Sequence, residues 1–391
     1  MSKSIELPGD KSISHRVAML AALADNACTF TNFNTGADCQ STLECLCALG
    51  LEARHSGVFQ RNPLRAPEQP LDCGNSGSTI RMLTGLLAGQ QIPAILSGDL
   101  SLMKRPMKRI AEPLRQMGAV IELQNDEYAP IQLIEGTKQG IEYTLPVSSA
   151  QVKTAVLFAG LKFANTSVIE AIPSRDHTER LFEHLQIEPG PSVKIPAFSY
   201  IVPGDPSSAA FLIVAALFQK EEVLFRNILL NQHRTGFLRV LERAGASLRI
   251  VEERIQQNEL VGDIQIQKDG LKEPIVITAE EVTGVIDEIP ALTVAGMTYG
   301  FEVYGAKELR YKESDRITAM TSNLRTLGMK VEEWDDGYRV FPGKPRSARL
   351  RTFSDHRIAM AFLAAGFAVD DPECVTISFP EFFYLLNKII S

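Results

Sequence analysis

The sequence predicts an α/β fold in two halves, each made of repeated units of helices and strands. The first observation is a near-repeat, Leu7-Pro8-Gly9-Asp10 at the start of the chain and Val202-Pro203-Gly204-Asp205 195 positions later in a chain of 391 residues. The second is a set of six apolar helix patterns that begin with small or polar residues. The third is an amphipathic helix pattern that alternates with the apolar one. Together these indicate a duplicated architecture, with a site expected between the halves beside Lys11.

The first helix pattern is apolar on nearly every face, which predicts helices that are buried on all sides. Several copies open with Ser or Asp, the residues that commonly cap a helix N-terminus. The six patterns begin near Ser12, Ser76, Ser149, Pro206, Asp287 and Ser354. Each helix start exposes free N–H groups and the positive end of the helix dipole. Several such starts in one cleft would therefore attract anions.

The second helix pattern reads approximately Leu-x-x-Leu-x-x-x-Gly, and the glycine after the last apolar position predicts the helix end. Strand-like alternation follows at 119–123, 247–251 and 330–332. The six copies cover 42–50, 110–118, 180–187, 237–245, 319–328 and 382–390. The chain is thus predicted to hold six units, three on either side of Pro203. A solenoid of six stacked units is the alternative, which the uneven spacing disfavours.

The composition is that of a globular protein, with 45% hydrophobic and 22% charged residues. The net charge of −7 argues against a general nucleic-acid surface. The N-terminus shows no secretory signal, and no apolar run is long enough to span a membrane, so we expect a cytoplasmic protein. The six cysteines show neither a Cys-x-x-Cys pair nor matching His spacing, which predicts reduced thiols and no metal site.

Lysine and arginine recur at the predicted helix starts, as Lys11, Arg16, Arg81, Lys153 and Arg357. Surface ion pairs would explain any one of them, but their recurrence favours a ligand with several phosphates or carboxylates. The second Pro-Gly-Asp copy is followed by small residues and no cation. The run 74–78 is rich in small residues but is not a Walker loop, and no dinucleotide fingerprint follows a strand.

Carboxylates are fewer at these positions. Asp287 and Glu288 open a predicted buried helix, and Glu313 lies between Lys312 and Arg316. A carboxylate at a helix start is often only a cap, whereas one placed among cations could move protons.

Eight motifs, in order along essentially the whole chain, resemble the 5-enolpyruvylshikimate-3-phosphate synthase family, in particular its class II-like bacterial branch. They occupy 7–16, 74–81, 104–106, 149–153, 174–179, 287–290, 312–316 and 355–360. The resemblance implies two inverted α/β domains, each of three βαβαββ units with buried helices. It places the N-terminal domain at 10–203 and the C-terminal domain at 1–9 plus 204–391, with crossovers at 8–10 and 203–205.

The resemblance implies transfer of the enolpyruvyl group of phosphoenolpyruvate to the 5-hydroxyl of shikimate-3-phosphate, with release of phosphate, in the shikimate pathway of aromatic amino acid biosynthesis. No cofactor and no metal are implied. The N-terminal domain would mainly bind shikimate-3-phosphate, and the C-terminal domain would supply phosphoenolpyruvate and proton-transfer residues. A monomer with these two small-molecule substrates is expected, and the family is the target of glyphosate.

The resemblance also implies roles for individual residues. The shikimate-3-phosphate residues are Lys11, Ser12, Arg16, Ser149, Ala150, Gln151, Arg175, Asp287 and Lys312. The phosphoenolpyruvate residues are Lys11, Gly77, Arg105, Gln151, Arg316 and Arg357. The catalytic residues are Asp287 as the base for the 5-hydroxyl, Lys312 to orient that hydroxyl, and Glu313 with Lys11 for protons at the methylene carbon.

The sequence departs from the family pattern at Ile377, where a lysine precedes Phe-Pro in the more familiar branch, so one phosphoenolpyruvate contact is expected to be missing or replaced. Two alternatives remain. The sister transferase acting on UDP-N-acetylglucosamine resembles this family in fold, but it has Lys-Asn where this chain has Lys11-Ser12, and a cysteine in a loop that here, at 97–103, has none. A non-catalytic sugar-phosphate binder is disfavoured by Asp287, Lys312 and Glu313.

Overall fold

The computed structural model describes residues 3–54 and 57–391. The chain divides into two compact units, Gly9–Val202 and Met1–Pro8 with Pro203–Ser391. The boundaries between the units lie between Pro8 and Gly9 and between Val202 and Pro203, within the two near-repeats 7–10 and 202–205. Among the described residues, no helix is both long enough and apolar enough to cross a membrane.

The first strand, β1 (Lys3–Glu6), belongs to the second unit. The helices of the first unit are α1 (Lys11–Ala21), α2 (Ala37–Ala48), α3 (Gly77–Gln90), α4 (Lys108–Gln116), α5 (Ala150–Ala159) and α6 (His177–His184). Its strands are β2 (Cys28–Thr31), β3 (Leu51–Arg54), β4 (Val58–Arg61), β5 (Leu71–Asp72), β6 (Ala94–Ser97), β7 (Val120–Gln124), β8 (Tyr128–Glu135), β9 (Glu142–Thr144), β10 (Ser167–Ile169) and β11 (Ser199–Ile201).

The helices of the second unit are α7 (Pro206–Gln219), α8 (Gly236–Arg243), α9 (Ala279–Val285), α10 (Ile289–Gly296), α11 (Arg316–Thr326), α12 (His356–Ala364) and α13 (Phe382–Ile390). Its remaining strands are β12 (Val223–Leu229), β13 (Leu248–Gln256), β14 (Glu259–Ile266), β15 (Ile275–Ile277), β16 (Phe301–Val303), β17 (Val331–Trp334), β18 (Gly337–Val340), β19 (Arg349–Leu350) and β20 (Ala368–Val369). Short 3₁₀ turns lie at Leu102–Lys104, Lys307–Tyr311 and Pro372–Ile377.

The two units share one plan of sheets. In the described chain, each has two four-stranded mixed sheets and one two-stranded parallel sheet. The first unit has the strand orders β11-β2-β4-β3, β5-β6-β8-β7 and β9-β10, and the second has β1-β12-β14-β13, β15-β16-β18-β17 and β19-β20. The predicted α/β class, with its mixed sheets and duplicated halves, is therefore confirmed.

The two units exchange a strand. Strand β1 leads into α1 of the first unit, yet it pairs in parallel with β12 of the second, with Ile5 opposite Phe225. Strand β11 leads into α7 of the second unit, yet it pairs in parallel with β2 of the first, with Tyr200 opposite Phe30. Each Pro-Gly-Asp copy thus follows a strand that belongs to one unit and precedes a helix that belongs to the other.

The third repeat of each half is shorter than the expected βαβαββ order. Residues 185–198 and 370–391, all of which the structure describes, contain no strand. The repeats around β9–β10 and β19–β20 therefore read βαβα, each with a two-stranded sheet. The full order is present at β5–β8 and at β15–β18, where the short α9 is an addition that the helix patterns did not predict.

The six predicted buried helices are α1, α3, α5, α7, α10 and α12, and each starts within about three residues of its predicted position. In α7, every residue from Pro206 to Leu217 is buried. Helices α3 and α5 approach each other closely because α3 carries Gly85, where a Cβ atom would lie 2.2 Å from the carbonyl oxygen of Ala155. Any larger residue at Gly85 would force the two helices apart.

Candidate functional site

The start of α1 holds the first candidate residue, Lys11. The Asp10 side chain caps the helix by accepting a hydrogen bond from the Ile13 N–H at 2.7 Å. The Lys11 ammonium lies 2.6 Å from the Asp38 carboxylate, in the first turn of α2. Two helix starts and one lysine therefore meet at this point of the first unit, and Asp38 fixes the direction of the lysine.

Arg16 joins three helices of the first unit. It is buried and donates to the hydroxyls of Thr178 at 2.9 Å and Thr154 at 2.7 Å. It also donates to the carbonyl oxygens of Ser12 at 2.8 Å and Ala150 at 3.4 Å. These contacts orient the guanidinium beside the N-termini of α1, α5 and α6.

Ser12 is also contacted by Arg175, whose guanidinium donates to the Ser12 hydroxyl at 3.1 Å. Ser149 caps α5 at a donor–acceptor distance of 3.5 Å, so Ala150 and Gln151 form the first turn of that helix. The structure thus brings together Ser12, Arg16, Ala150 and Arg175, which sequence analysis placed around one anionic ligand.

A second group surrounds the glycine at the start of α3. A Cβ atom on Gly77 would lie 2.8 Å from Arg81 Nη1 and 3.4 Å from Arg105 Nη1, so glycine leaves space between two buried guanidinium groups. Arg105 donates to the Asn75 side chain and, at 3.3 Å, to the Ser101 hydroxyl.

Gln151 connects this group to α5. Its amide oxygen accepts from Arg81 at 2.9 Å, and its amide nitrogen donates to the Ser78 hydroxyl at 3.0 Å. Arg81 also donates to the Pro106 carbonyl at 3.3 Å. Sequence analysis noted Arg81 as a cation at a helix start but gave it no ligand, and its position beside Gly77 and Gln151 makes it a further anion-binding candidate.

Lys153 does not join these groups. Its ammonium lies 2.9 Å from Glu170 and 2.8 Å from Glu179, and its side chain is 7% exposed. Burial alone would raise the pKa of Glu170, but hydrogen bonds from Ser174 and Lys153 hold it below its ordinary value. Lys153 therefore belongs to a buried ion pair that stabilises the fold around α5. An ion pair was the alternative explanation for any one of the cations at the helix starts.

In the second unit, Asp287 lies two residues before α10 with three cations around its carboxylate. The distances are 3.8 Å to Lys312 Nζ, 3.6 Å to Arg316 Nη1 and 3.7 Å to Arg357 Nη2. Arg357 Nη1 also donates to the Asp287 carbonyl oxygen at 3.0 Å. All four predicted residues thus come together, because the starts of α10, α11 and α12 lie at one side of this unit.

Arg316 is the buried centre of this second cluster. It binds Asp355 at 2.8 Å and also donates to Glu313. Burial would lower its pKa, yet the pKa is raised because Asp355, Glu313 and Asp287 all favour the charged guanidinium. Burial would likewise raise the pKa of Asp355, but Arg316 outweighs it and the pKa is lowered. Both groups are therefore held in their charged forms.

Asp355 was missed as a cluster member by sequence analysis. It caps α12 by accepting from the Arg357 N–H at 2.9 Å, and it accepts from the Ser314 hydroxyl at 2.9 Å. The position of Asp355 directly before a buried helix pattern predicted only that it would cap the helix. Asp38, the partner of Lys11, was missed because the two residues lie 27 positions apart.

Among the described residues, no group of three or more His, Cys, Asp or Glu could hold a metal ion.

Ile377 ends the 3₁₀ turn Pro372–Ile377 and is partly buried against the apolar core of the second unit. An aliphatic side chain fits that packing. The structure therefore gives Ile377 a core contact at the position where the family pattern has a lysine.

The two clusters have complementary chemistry. The first holds guanidinium groups by hydroxyl, amide and carbonyl oxygens, which suits the binding of phosphate and carboxylate groups. The second holds three cations with three carboxylates, which suits both anion binding and proton transfer. Each cluster by itself suits anionic small molecules, and the second also suits proton transfer.

Comparison with known proteins gives one consistent result. The family model for EPSP synthase (3-phosphoshikimate 1-carboxyvinyltransferase) matches residues 1–386. The chain is 45% identical over 415 residues to the 3-phosphoshikimate 1-carboxyvinyltransferase of Koribacter versatilis, covering 99% of this chain and 96% of the relative. It is 44% identical over 414 residues to that of Solibacter usitatus, with the same coverages. The structure of EPSP synthase from Acinetobacter baumannii is similar with a TM-score of 0.84 and 35% identity, over 99% of this chain and 95% of that one.

Proposed function

The chain belongs to the EPSP synthase family, and on that premise we propose which of its residues bind the two substrates and which move protons. The enzyme transfers the enolpyruvyl group of phosphoenolpyruvate to the 5-hydroxyl of shikimate-3-phosphate and releases phosphate, a step of the shikimate pathway. The family that matches is the shikimate-3-phosphate enzyme rather than the nucleotide-sugar transferase.

The reaction sets four physical requirements. Two phosphates and two carboxylates must be bound despite their mutual repulsion. The 5-hydroxyl must lose its proton as its oxygen attacks C2 of phosphoenolpyruvate, and the methylene carbon must gain a proton to form a tetrahedral intermediate. Phosphate then leaves, and a methyl proton is removed to restore the double bond. Positioning and electrostatic stabilisation by the protein can supply much of this.

Shikimate-3-phosphate is bound by the group around Ser12. Arg16 and Arg175 both contact Ser12, so the serine and two guanidinium groups offer several donors to one phosphate. The N-terminus of α5 adds backbone N–H donors. The residues proposed for this substrate are Lys11, Ser12, Arg16, Ser149, Ala150, Gln151, Arg175, Asp287 and Lys312.

Phosphoenolpyruvate is bound by the group around Gly77 and by cations of the second unit. The absence of a side chain at Gly77 leaves room for a ligand oxygen between Arg81 and Arg105. The residues proposed for this substrate are Lys11, Gly77, Arg105, Gln151, Arg316 and Arg357, and the geometry adds Arg81.

Asp287 takes the proton of the 5-hydroxyl, Lys312 orients that hydroxyl, and Glu313 with Lys11 handles protons at the methylene carbon. The observation that carries this proposal is the ring of Lys312, Arg316 and Arg357 at 3.6–3.8 Å from the Asp287 carboxylate. Neighbouring positive charges favour the ionised form of a carboxylate, which is the form a base needs.

We also propose that the enzyme is a monomer and that it acts in the cytoplasm. The cysteines support the cytoplasmic location, because all six carry free thiols and five of these are buried. Light scattering of the purified protein with and without both substrates tests the oligomeric state, and a stable dimer in either condition would contradict it.

A phosphate-release assay tests the proposed substrate use. Phosphate should appear only when phosphoenolpyruvate and shikimate-3-phosphate are both present, and the organic product should carry the enolpyruvyl group at the 5-oxygen. Release with UDP-N-acetylglucosamine in place of shikimate-3-phosphate would overturn the substrate choice. Binding of shikimate-3-phosphate without any turnover would indicate a non-catalytic binder.

A further inference from the structure

The second Pro-Gly-Asp copy is followed by no cation in sequence, yet the fold supplies one. Asp205 caps α7 by accepting from the Ser207 N–H at 2.7 Å. Arg234, from the segment between β12 and α8, donates to the Asp205 carboxylate at 3.2 Å and to the Ser207 hydroxyl at 3.1 Å. Arg234 is 2% exposed, so this contact lies in the interior of the second unit.

The Ser207 hydroxyl continues the chain of hydrogen bonds to Glu288. It accepts from Arg234 and donates to Glu288 Oε1, and a single hydroxyl can do both at once. Glu288 is 2% exposed. A charged side chain is buried at a large cost unless it is paired and hydrogen-bonded. The connection Arg234–Ser207–Glu288 therefore holds the Glu288 side chain firmly against the start of α7.

Glu288 is the residue next to Asp287 and occupies the N-cap position of α10, where its side chain makes no capping hydrogen bond. The two consecutive residues are held by different partners. The Asp287 carbonyl accepts from Arg357 at 3.0 Å, and its carboxylate lies among three cations. The Glu288 side chain is held by Ser207. The peptide between them is thus fixed from both ends, which limits the directions that the Asp287 carboxylate can take.

We propose that Ser207, Arg234 and Glu288 are positioning residues for Asp287, acting through the backbone at the start of α10. This inference rests on the proposed role of Asp287 as the base. A misplacement of about 1 Å at a reacting group can cost on the order of 100-fold in rate. Loss of the anchor should therefore reduce turnover while leaving the cation clusters that bind the substrates in place.

The test is Ser207→Ala in the full chain, compared with Ser207→Thr and Ser208→Ala. We expect Ser207→Ala to lower kcat roughly 10- to 100-fold, with KM for both substrates within about threefold of wild type. Ser207→Thr keeps a hydroxyl and should restore kcat to within about fivefold of wild type. Ser208→Ala removes a hydroxyl from the same buried turn, outside the Arg234–Ser207–Glu288 connection, and should leave kcat unchanged. A merely structural role would not separate kcat from KM or be rescued by threonine.

Glu288→Gln is the second variant. It tests the positioning role if Ser207→Ala does not fold, which would be seen as loss of a cooperative thermal transition. Glutamine keeps the size and one carbonyl oxygen, so we expect a smaller fall in kcat, roughly 3- to 10-fold, again without a change in KM. The double variant should be no slower than Ser207→Ala, because both changes break one connection.

Wild-type kcat in a folded Ser207→Ala would overturn the inference, and so would wild-type kcat in Glu288→Gln if Ser207→Ala does not fold. Equal loss in Ser207→Ala and Ser208→Ala would also overturn it, since the effect would then belong to the helix and not to the connection. If Asp287→Asn retains turnover, the base role itself fails. If Asp287→Asn is inactive while Ser207→Ala is normal, only the positioning role fails.

Discussion

The two units place their cations among different partners. In Gly9–Val202, Arg16, Arg81 and Arg175 are oriented by hydroxyl, amide and carbonyl oxygens. In the second unit, Arg316 is bound by the carboxylates Asp355 and Glu313 and lies 3.6 Å from Asp287. Hydroxyl, amide and carbonyl oxygens orient a guanidinium, whereas carboxylates also balance its charge and can exchange protons. We propose that one duplicated helix arrangement serves these two chemical purposes.

The same contrast appears at the two Pro-Gly-Asp copies. After Asp10, the cation is the next residue, Lys11, which is partly exposed and paired with Asp38. After Asp205, the cation is Arg234, which is buried and comes from a distant segment. Lys11 is partly exposed and open to a ligand, whereas Arg234 is engaged by Asp205 and Ser207 inside the second unit. We propose that the duplicated motif serves as a binding element in the first half and as an internal support in the second.

The largest expected effect tests the proton-handling role of the second unit. Asp287→Asn removes the proposed base while keeping its size, and we expect kcat to fall roughly 10²- to 10⁴-fold, the range typical of a general base. Steady-state kinetics and a shikimate-3-phosphate binding isotherm measure this, and binding should be largely kept because the cations of the first unit remain. Near-normal turnover would show that the second cluster only binds anions.

The next effect concerns Lys153, a buried cation of the first unit that is paired with two carboxylates. Glu170→Gln leaves a buried lysine with one fewer partner and should lower the free energy of unfolding by about 3 kcal/mol, measured by urea denaturation. Substrate KM values should not change. The control Glu135→Gln breaks an exposed pair with Lys138 and should cost less than about 1 kcal/mol. A raised KM in Glu170→Gln would place Lys153 in the binding cluster.

Arg105→Ala tests the anion-binding role of the first unit. A lost hydrogen bond to a charged group costs about 1.5–3 kcal/mol, so we expect KM for phosphoenolpyruvate to rise roughly 10- to 100-fold. KM for shikimate-3-phosphate should change far less. The neighbouring Lys104 is exposed, and Lys104→Ala is the matched control, which should leave both values unchanged. Equal effects of Arg105→Ala on both substrates would contradict the assignment.

The smallest effect is a pH dependence of stability in the first unit. Burial, with contributions from Lys11 and Arg16, lowers the pKa of His15 from 6.5 to about 3. The unfolded chain therefore binds a proton that the folded chain does not, and His15 contributes stability that is lost as pH falls below 6.5. Between pH 6.5 and 5.5 the loss should be about 1 kcal/mol.

His15→Gln should remove this part of the pH dependence, as measured by urea denaturation at the two pH values. His184 is exposed on α6, and His184→Gln is the control that should retain the wild-type slope. An unchanged slope in His15→Gln would show that His15 binds its proton as readily in the folded protein as in the unfolded chain.

The sequence by itself determined the α/β class, the duplication, the six buried helices and the order of the family motifs. These are local properties, since apolar periodicity and capping residues act within a few positions of the chain. The same reasoning noted Asp287 and Arg357 at predicted helix starts, whereas the roles expected of Lys312 and Arg316 came from the family resemblance.

Only the tertiary structure decided which groups each charged side chain contacts. The sequence did not show that the third repeats lack their last two strands, whereas the family resemblance already implied that the chain crosses between the halves at 8–10 and 203–205. It treated Lys153 and Arg81 alike, yet Lys153 is neutralised by Glu170 and Arg81 is oriented by Gln151. It found no cation at the second Pro-Gly-Asp copy, where Arg234 is bound. The physical reason is that charge compensation depends on distance in space, and residues 17 to 70 positions apart come within 3.2 Å only when the chain has folded.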